Sequence, residues 1–167
     1  MTARLALIGA PGSGKSTVGG GVAQALGCQF LDTDEEYLSR FGHPVAEAVI
    51  DDEAVFRTRE AEIVSKCLRT TGAVVAVGGG AVSAEAVVDA LDAVPTVWLE
   101  VGLVDAARRT GLSGARPVAL GNVRGQLHDM LRQWAEIYGG LADLQVTTDG
   151  RDPAEIIEEI VEWEAAL

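Results

Sequence analysis

One glycine-rich segment constrains this chain more than any other feature: residues 9–16 read G-A-P-G-S-G-K-S. The segment follows a short apolar run, Leu5–Ile8, typical of a buried strand, and precedes a helical pattern over residues 16–26. A G-x-x-x-x-G-K-[ST] loop between a strand and a helix is a phosphate-binding motif. Its glycines let backbone N–H groups turn toward the anion, and the N-terminus of the helix attracts the negative charge. We therefore predict that Lys15 reaches nucleotide phosphates and that Ser16 binds Mg²⁺. A chance glycine-rich turn would not explain both flanking elements.

The rest of the chain continues the alternation of strand and helix. We predict further strands at residues 29–31, 73–77, 96–101 and 145–148. We predict further helices at residues 45–69 with a break near 51–52, and at 84–91, 103–109, 123–137 and 153–166. Strands separated by helices give an α/β fold with a parallel sheet and helices on both faces, and such sheets bind ligands at the carboxyl ends of their strands. The length of 167 residues fits a single domain over residues 1–167.

Composition argues against several classes of partner. With 25 acidic and 13 basic residues the net charge is −12, so DNA, RNA and anionic membranes would be repelled. No apolar run approaches the roughly 18 residues that read as a membrane span. The two cysteines, Cys28 and Cys67, do not form a disulfide framework, as expected for a reducing compartment. We expect a soluble cytoplasmic protein.

Two carboxylates, Asp32 and Asp34, follow the second predicted strand. On an extended segment, side chains two positions apart point to the same side, so both would face the phosphate-binding loop. One could hold Mg²⁺ through water, and the other could orient or deprotonate an attacking hydroxyl group. The alternative is a helix N-cap, since aspartate is favoured there and Glu35 and Glu36 follow.

A glycine triplet, Gly78-Gly79-Gly80, ends the central predicted strand. Glycines at such a position let the backbone approach a ligand closely. A tight strand-to-helix turn would also use glycine, but it would rarely need three. The triplet therefore indicates a binding site.

Arginines are informative because basic residues are scarce. Arg57 and Glu60 are spaced i, i+3 on a predicted helix, and Arg109 and Arg116 lie beside or within residues 111–125, a segment predicted to be a mobile lid. An arginine carried by a closing loop can stabilise charge on a transferring phosphoryl group. The sequence is equally compatible with solvated arginines, and with a weak surface ion pair between Arg57 and Glu60.

These motifs, in this order, resemble the shikimate kinases, a family of P-loop kinases similar to the nucleoside monophosphate kinases. The resemblance covers nearly the whole chain. Besides the phosphate-binding loop it includes D-T-D at 32–34, F-R-x-x-E at 56–60, G-G-G at 78–80, and R-R-T-G followed by R-P at 108–111 and 116–117. It implies a three-layer α/β/α P-loop kinase fold with a lid loop. It also implies ATP- and Mg²⁺-dependent phosphorylation of the 3-hydroxyl group of shikimate by a monomer, on the pathway to chorismate and the aromatic amino acids.

The resemblance also implies the nucleotide half of the site. Lys15 and the lid residue Arg116 would contact the phosphates, and Ser16 would bind Mg²⁺ with Asp32 behind it through water. Arg109 and the segment around Arg151 would enclose the adenine. The implied nucleotide-binding residues are Gly12, Ser13, Gly14, Lys15, Ser16, Thr17, Arg109, Arg116, Arg151 and Pro153.

The acceptor half is implied in the same way. Asp34 would bind the ring hydroxyl groups and assist proton removal, and Arg57 would clamp the substrate carboxylate. The triplet would add backbone contacts. The implied substrate-binding residues are Asp34, Arg57, Gly78, Gly79, Gly80 and Trp134, and the implied catalytic groups are Lys15, Asp34 and Arg116.

The chain departs from the family pattern in the acceptor half. The family carries R-x-P-L-Y after the lid, with the arginine as a second carboxylate clamp, whereas residues 134–138 read W-A-E-I-Y. Trp134 takes the place of the arginine, and Arg132 points about 200° away on a helix. Ala48 and Val49 also replace an I-F pair. Losing one charge-assisted contact would cost roughly 2–4 kcal/mol of binding.

Two alternatives follow from this departure. A P-loop kinase acting on a related polyol or cyclitol would not need the second arginine, and Trp134 could stack on its ring. A nucleotide-binding protein without catalytic activity is the other alternative, although the intact Lys15, Ser16, Asp32 and Arg116 argue against it.

Overall fold

The structure is a computed structural model that describes residues 2–110 and 123–167, of which residues 123 and 124 are described by their backbone only. The strands are β1 (Leu5–Ile8), β2 (Phe30–Asp32), β3 (Val74–Ala76), β4 (Thr96–Glu100) and β5 (Leu144–Thr147). The helices are α1 (Lys15–Leu26), α2 (Thr33–Phe41), α3 (Val45–Asp51), α4 (Glu53–Leu68), α5 (Glu85–Leu91), α6 (Leu103–Arg109), α7 (Val123–Leu141) and α8 (Pro153–Glu164). A short 3₁₀ turn, Ala81–Ser83, lies between β3 and α5.

The five strands form one parallel sheet in the order β2-β3-β1-β4-β5. β1 is central, with Leu7 paired to Ala76 of β3 and to Val97 of β4. The chain runs from β1 to β2 and β3 on one side of β1 and then crosses to β4 and β5 on the other side, so the strand order reverses beside β1. Ligands of open α/β sheets bind at such a switch point, and the phosphate-binding loop begins there.

Side chains alternate across the sheet and form a core on each face. Leu5 and Leu7 of β1 belong to one core, which α1 and α8 cover with residues such as Val22 and Ile160. Ala6 and Ile8 face the other core, which is filled from α2 to α7. The predicted three-layer α/β/α arrangement is therefore confirmed.

The predicted elements agree with the structure except in one region. The helix break near residue 52 is confirmed, since Asp52 ends α3 and caps α4. Helix α2 was not among the predicted helices, because most of its residues are polar and only Thr33 and Tyr37 are buried. Most of the predicted lid lies outside the described residues, and its last three residues belong to α7, which begins at Val123. Within the described residues, no helix is long and apolar enough to cross a membrane.

Candidate active site

The phosphate-binding loop has the backbone that its glycines predict. Gly9, Gly12 and Gly14 have φ values of 147°, 80° and 91°, a region that side chains other than glycine rarely adopt. A Cβ at Gly9 would lie 2.5 Å from the carbonyl oxygen of Leu99, so no side chain fits there. No side chain of the described residues caps the N-terminus of α1. The N–H groups of its first turn are therefore available to an anion.

Lys15 is folded back over this loop. Its Nζ donates hydrogen bonds to the carbonyl oxygens of Gly9 (2.7 Å) and Ala10 (3.0 Å). Burial lowers the pKa of Lys15 to about 8, and the carboxylates of Asp34 and Asp32 limit that decrease. The ammonium group is thus held at the loop as a poorly solvated charge, which an incoming phosphate would satisfy.

A cavity of about 360 Å³ opens beside the loop. Its walls come from the phosphate-binding loop, the start of α1, and the carboxyl ends of β2 and β3. The residues that line it are Pro11, Gly12, Gly14, Lys15, Ser16, Thr17, Asp32, Asp34, Ala76, Val77 and Gly78. One cavity therefore joins the predicted phosphate site to the predicted acceptor groups.

Asp32 connects α1 to α2. Its Oδ1 accepts a hydrogen bond from the backbone N–H of Asp34 (3.0 Å), and its Oδ2 accepts one from the hydroxyl group of Ser16 (2.5 Å). Asp32 is therefore the N-cap of α2, and it also faces the phosphate site. Two oxygen ligands beside Lys15 suit Mg²⁺, which commonly takes few protein ligands and completes its shell with phosphates and water. No cluster of three or more His, Cys, Asp or Glu side chains that could hold a metal ion occurs in the described ranges.

Asp34, Glu60 and Thr33 meet at the first glycine of the triplet. The N–H group of Gly78 donates to the hydroxyl group of Thr33 (2.9 Å). A Cβ at Gly78 would lie 2.8 Å from both Asp34 Oδ1 and Glu60 Oε1. Burial raises the pKa of Asp34, as does Asp32, while Lys15 and Arg57 lower it. Asp34 is therefore a carboxylate with increased affinity for a proton.

Arg57 of α4 lies against the last glycine of the triplet. A Cβ at Gly80 would lie 2.5 Å from Arg57 Nη1. Arg57 Nη1 also donates to Glu60 Oε2 at 2.7 Å, and Glu60 is buried with only 5% of its surface exposed. The guanidinium carbon of Arg57 stands 5.1 Å from the centroid of the Phe56 ring. Arg57 is therefore held in place by Glu60 and partly buried.

The middle glycine is held from α7. The hydroxyl group of Tyr138 donates to the carbonyl oxygen of Gly79 at 2.6 Å. Trp134, one turn earlier on α7, is half-buried, and its ring meets that of Tyr138 edge to face with centroids 6.2 Å apart. Trp134 is thereby brought to the side of α7 that carries Tyr138.

A second group of contacts lies on the opposite side of the phosphate-binding loop. The guanidinium group of Arg109 donates to the carbonyl oxygen of Gly12 (3.1 Å) and to both oxygens of Thr148 (3.2 Å each). The backbone N–H of Arg151 also donates to Thr148 (3.3 Å). Asp105 accepts from Gly150 (3.2 Å) and pairs with Arg109 (3.5 Å). These contacts join the end of α6 to the turn between β5 and α8.

Comparison with known proteins places this geometry in a family. The family model for shikimate kinase matches residues 11–164. A shikimate kinase of Salinispora tropica is 45% identical over 155 residues, which is 92% of this chain and 93% of the relative. The structure of Acinetobacter baumannii shikimate kinase in complex with shikimate superimposes with a TM-score of 0.89 at 26% identity, covering 99% of this chain and 94% of that one. Aquifex aeolicus shikimate kinase gives 0.81 at 28% identity, covering 98% of each chain.

The chain belongs to the shikimate kinase family. It is a kinase with ATP as its phosphate donor, and its fold is the P-loop kinase fold that the motifs predicted. Among shikimate kinase residues predicted from the sequence, the structure brings together Lys15, Ser16, Asp32 and Asp34 around one cavity. It also brings Arg57 to the glycine triplet at Gly80.

The nucleotide side is assembled only in part within the described residues. Arg109 lies against Gly12 and meets the turn that carries Arg151. The guanidinium group of Arg151 is turned toward α8, where it pairs with Glu159 at 2.8 Å. Pro153 begins α8. Arg116 lies outside the described residues.

One local prediction was wrong. The segment from Asp32 to Asp34 is not extended beyond Asp32, because α2 begins at Thr33 with Asp32 as its cap. The two carboxylates reach the cavity through a helix N-terminus and not through strand alternation. Asp32 can therefore be both a helix cap and a cavity residue. Its Oδ1 caps α2, and its Oδ2 meets Ser16 at the cavity.

Several positioning residues were not singled out from the sequence as part of the site. The hydroxyl group of Thr33 holds Gly78. Tyr138 holds Gly79, and Asp105 and Thr148 organise the turn before α8. Only tertiary pairing reveals these residues, because each acts on an element distant in sequence.

Proposed function

We propose that this protein transfers the γ-phosphoryl group of ATP to the 3-hydroxyl group of shikimate. The observation that most supports this reaction is the convergence of Asp34 and Arg57 on the glycine triplet, beside the cavity of the phosphate-binding loop. A carboxylate, a held guanidinium group and open backbone N–H groups suit a ring that carries hydroxyl groups and one carboxylate.

On the donor side, Lys15 and the first turn of α1 would hold the phosphates of ATP. Ser16 would bind Mg²⁺, and Asp32 would support it through water. The ion neutralises phosphate charge during transfer. Arg109 and the turn containing Arg151 and Pro153 would border the adenine. Gly12, Ser13, Gly14 and Thr17 would add contacts around the phosphates, and Arg116 would reach them from residues 111–122.

On the acceptor side, Asp34 would orient the attacking hydroxyl group. The bond between the γ-phosphorus and its bridging oxygen to ADP breaks as the bond to the acceptor oxygen forms. The proton of the hydroxyl group passes to Asp34, whose pKa is raised by burial, and then to solvent. Arg57 would clamp the carboxylate of shikimate, and Gly78 to Gly80 and Trp134 would line the acceptor. Positioning and electrostatics would supply most of the rate.

We further propose that the whole chain forms one kinase domain that acts as a monomer in the cytoplasm, without nucleic acid or membrane partners. Its net charge of −12 would disfavour both polyanionic surfaces.

A coupled assay of ADP release tests the function. With Mg·ATP, shikimate should stimulate ADP release strongly and saturably, and phosphorylated shikimate should appear in equal amount. Lys15→Ala should reduce turnover by at least about 1,000-fold, since the loop loses its only side-chain cation. Lys66→Ala, on the last turn of α4, is the matched control and should leave the rate unchanged.

The same assay distinguishes the alternatives. Turnover of a neutral cyclitol with none of shikimate would assign a different acceptor, in line with Trp134 in the place of an arginine. ATP binding without transfer to any acceptor would mean that the protein is not a catalyst. Replacement of ATP by ADP, or chelation of Mg²⁺, should abolish transfer under either kinase assignment.

A further inference from the structure

Tyr138 is a buried tyrosine whose hydroxyl group is directed at one peptide group of the glycine triplet. Only 1% of Tyr138 is exposed. Its ring lies between Trp98 and Trp134, with centroid distances of 5.9 and 6.2 Å. Its hydroxyl group donates to the carbonyl oxygen of Gly79 at 2.6 Å. Phenylalanine would keep the ring contacts and lose only the hydrogen bond, so the two contributions of Tyr138 can be separated.

The peptide groups of the triplet are each held from one side. The N–H group of Gly78 donates to Thr33, and the carbonyl oxygen of Gly78 accepts from the backbone of Ala81 at 3.0 Å. The peptide between Gly79 and Gly80 is held by Tyr138. It is the peptide of the triplet that depends on α7, the helix that follows residues 111–122.

A hydrogen bond to the carbonyl oxygen of a peptide group also fixes the direction of its N–H bond. In a planar trans peptide the C=O and N–H bonds point in opposite directions. The Tyr138 bond therefore turns the N–H group of Gly80 away from α7. Within the described residues, nothing accepts a hydrogen bond from the N–H groups of Gly79 and Gly80. Gly80 is buried, whereas Gly79 is partly exposed. Because buried N–H groups are nearly always paired, a ligand oxygen is the expected partner of the Gly80 N–H group.

Gly80 also lies in close contact with the guanidinium group of Arg57. Gly80 is buried, and Arg57 lies so close to it that a Cβ would be 2.5 Å from Arg57 Nη1. A rotation of the peptide between Gly79 and Gly80 would change both the N–H direction and this contact. The hydrogen bond from Tyr138 thus controls two acceptor contacts together.

We propose that Tyr138 is a positioning residue for the acceptor, which orients the N–H group of Gly80 beside Arg57 through the carbonyl oxygen of Gly79. This inference rests on the proposed function, because the acceptor used to test it is shikimate. Tyr138 touches no reacting atom and acts through the triplet alone. Burial also raises the pKa of Tyr138 well above its ordinary value, so the hydroxyl group remains a donor across the working pH range.

Tyr138→Phe tests the proposal, because it removes the hydroxyl group and keeps the ring. The KM for shikimate and its equilibrium Kd, measured by titration calorimetry without ATP, should rise about 3- to 10-fold, as expected for one neutral hydrogen bond. The KM for ATP should stay within about twofold, because the hydroxyl group makes no hydrogen bond to the phosphate-binding loop, which meets the triplet only through packing of Pro11 and Gly9 against Gly79. Ile160→Val, a similarly small deletion in the core on the other face of the sheet, should lower thermal stability without changing either KM.

Three outcomes would overturn the proposal. The shikimate KM could stay at the level of Ile160→Val, the two KM values could rise together, or kcat alone could fall. If Tyr138→Phe does not fold, the wild-type protein still provides a test, since the ¹⁵N–¹H resonance of Gly80 must shift with shikimate and not with ATP; an unmoved resonance overturns the proposal. Failure of wild-type protein to phosphorylate shikimate would instead contradict the proposed function and this inference with it.

Discussion

Single charged residues control the site through their degree of burial. Desolvation by surrounding protein atoms lowers the pKa of Lys15 and raises that of Asp34, although Lys15 is only partly buried and Asp34 is exposed at the cavity. Each partly compensates the other, since the carboxylate raises the pKa of Lys15 and the ammonium lowers that of Asp34. Bound phosphate would add negative charge beside Lys15 and hold its proton more tightly. Nucleotide affinity should therefore depend on pH.

The first prediction concerns that dependence. Because the pKa of Lys15 is lowered to about 8, the free protein carries the ammonium charge below pH 8 and loses it above. The Kd for Mg·ATP should be constant between about pH 7 and 7.5 and then rise, approaching tenfold per unit well above pH 8. Lys15→Arg is the control, because guanidinium does not titrate in this range. If Lys15→Arg kept the same pH dependence, another group would be responsible.

Arg57 has two acidic neighbours that allow a matched comparison. Glu60 is buried and pairs with it at 2.7 Å, whereas Glu53 is 68% exposed and pairs at 3.8 Å. Glu60→Gln should raise the KM for shikimate by about 10-fold, since it removes the charge that fixes the guanidinium group. Glu53→Gln should change it by less than about twofold, as expected for an exposed pair. Equal effects in steady-state kinetics would show that burial does not control Arg57.

The sequence predicted the proximity of these residues better than their conformation. The residue types at Lys15, Ser16 and Asp34 led to the prediction of one common site, and all three line one cavity. The hydrogen bond of Thr33 joins positions 45 residues apart, and that of Tyr138 joins positions 59 residues apart. Neither contact was predictable from the sequence. The sequence was also compatible with an exposed Glu60. The structure shows that Glu60 is buried and packs against Gly78.

At the scale of elements, α1 carries three consecutive glycines, Gly19 to Gly21, that face different surroundings. A Cβ at Gly19 would lie 2.9 Å from Leu7 of the core and 2.6 Å from Phe30, which packs against that core. A Cβ at Gly20 would meet its nearest atom at 4.0 Å. Of these two neighbouring positions, Gly19 is closely packed, and Gly20 has room for a side chain.

This difference predicts opposite effects of one substitution. Gly20→Ala should raise the melting temperature by about 2–4 °C, because alanine gains up to ~1 kcal/mol over glycine inside a helix. Gly19→Ala should lower it, since overpacking a core typically costs about 1–3 kcal/mol. Calorimetry of the two variants checks this prediction, with the KM for ATP as a control for the nearby loop. Destabilisation by both would mean that helix propensity does not limit α1.

Helix α2 shows why an element can be missed. It has nine residues, a polar composition and a single large buried side chain, Tyr37, so few apolar residues mark it as a helix. Its start is fixed by the Asp32 cap, and its end by Gly42 at a φ of 77°. Elements that bury several apolar side chains, such as β1 and α4, were predicted within a few residues. Helix α2 is thus specified by its two caps and its acidic first turn more than by apolar residues.

At the scale of the whole molecule, the site draws on both faces of the sheet. The phosphate-binding loop leads into α1, which covers one core, whereas Arg57 and Tyr138 come from α4 and α7 over the other. The central strand β1 is shared by both cores. Nucleotide bound at the end of β1 should therefore stabilise the whole domain, because neither core can unfold without releasing it.

The last prediction follows from this shared strand. Mg·ATP at about 100 times its Kd should add ~2.7 kcal/mol of stability, which corresponds to a rise of about 5–10 °C in melting temperature for a domain of this size. Differential scanning calorimetry should show one transition with and without nucleotide. Lys15→Ala should remove most of the shift while Lys66→Ala retains it. Two separate transitions, only one of them sensitive to nucleotide, would show instead that the two faces of the sheet unfold independently and that β1 does not couple them.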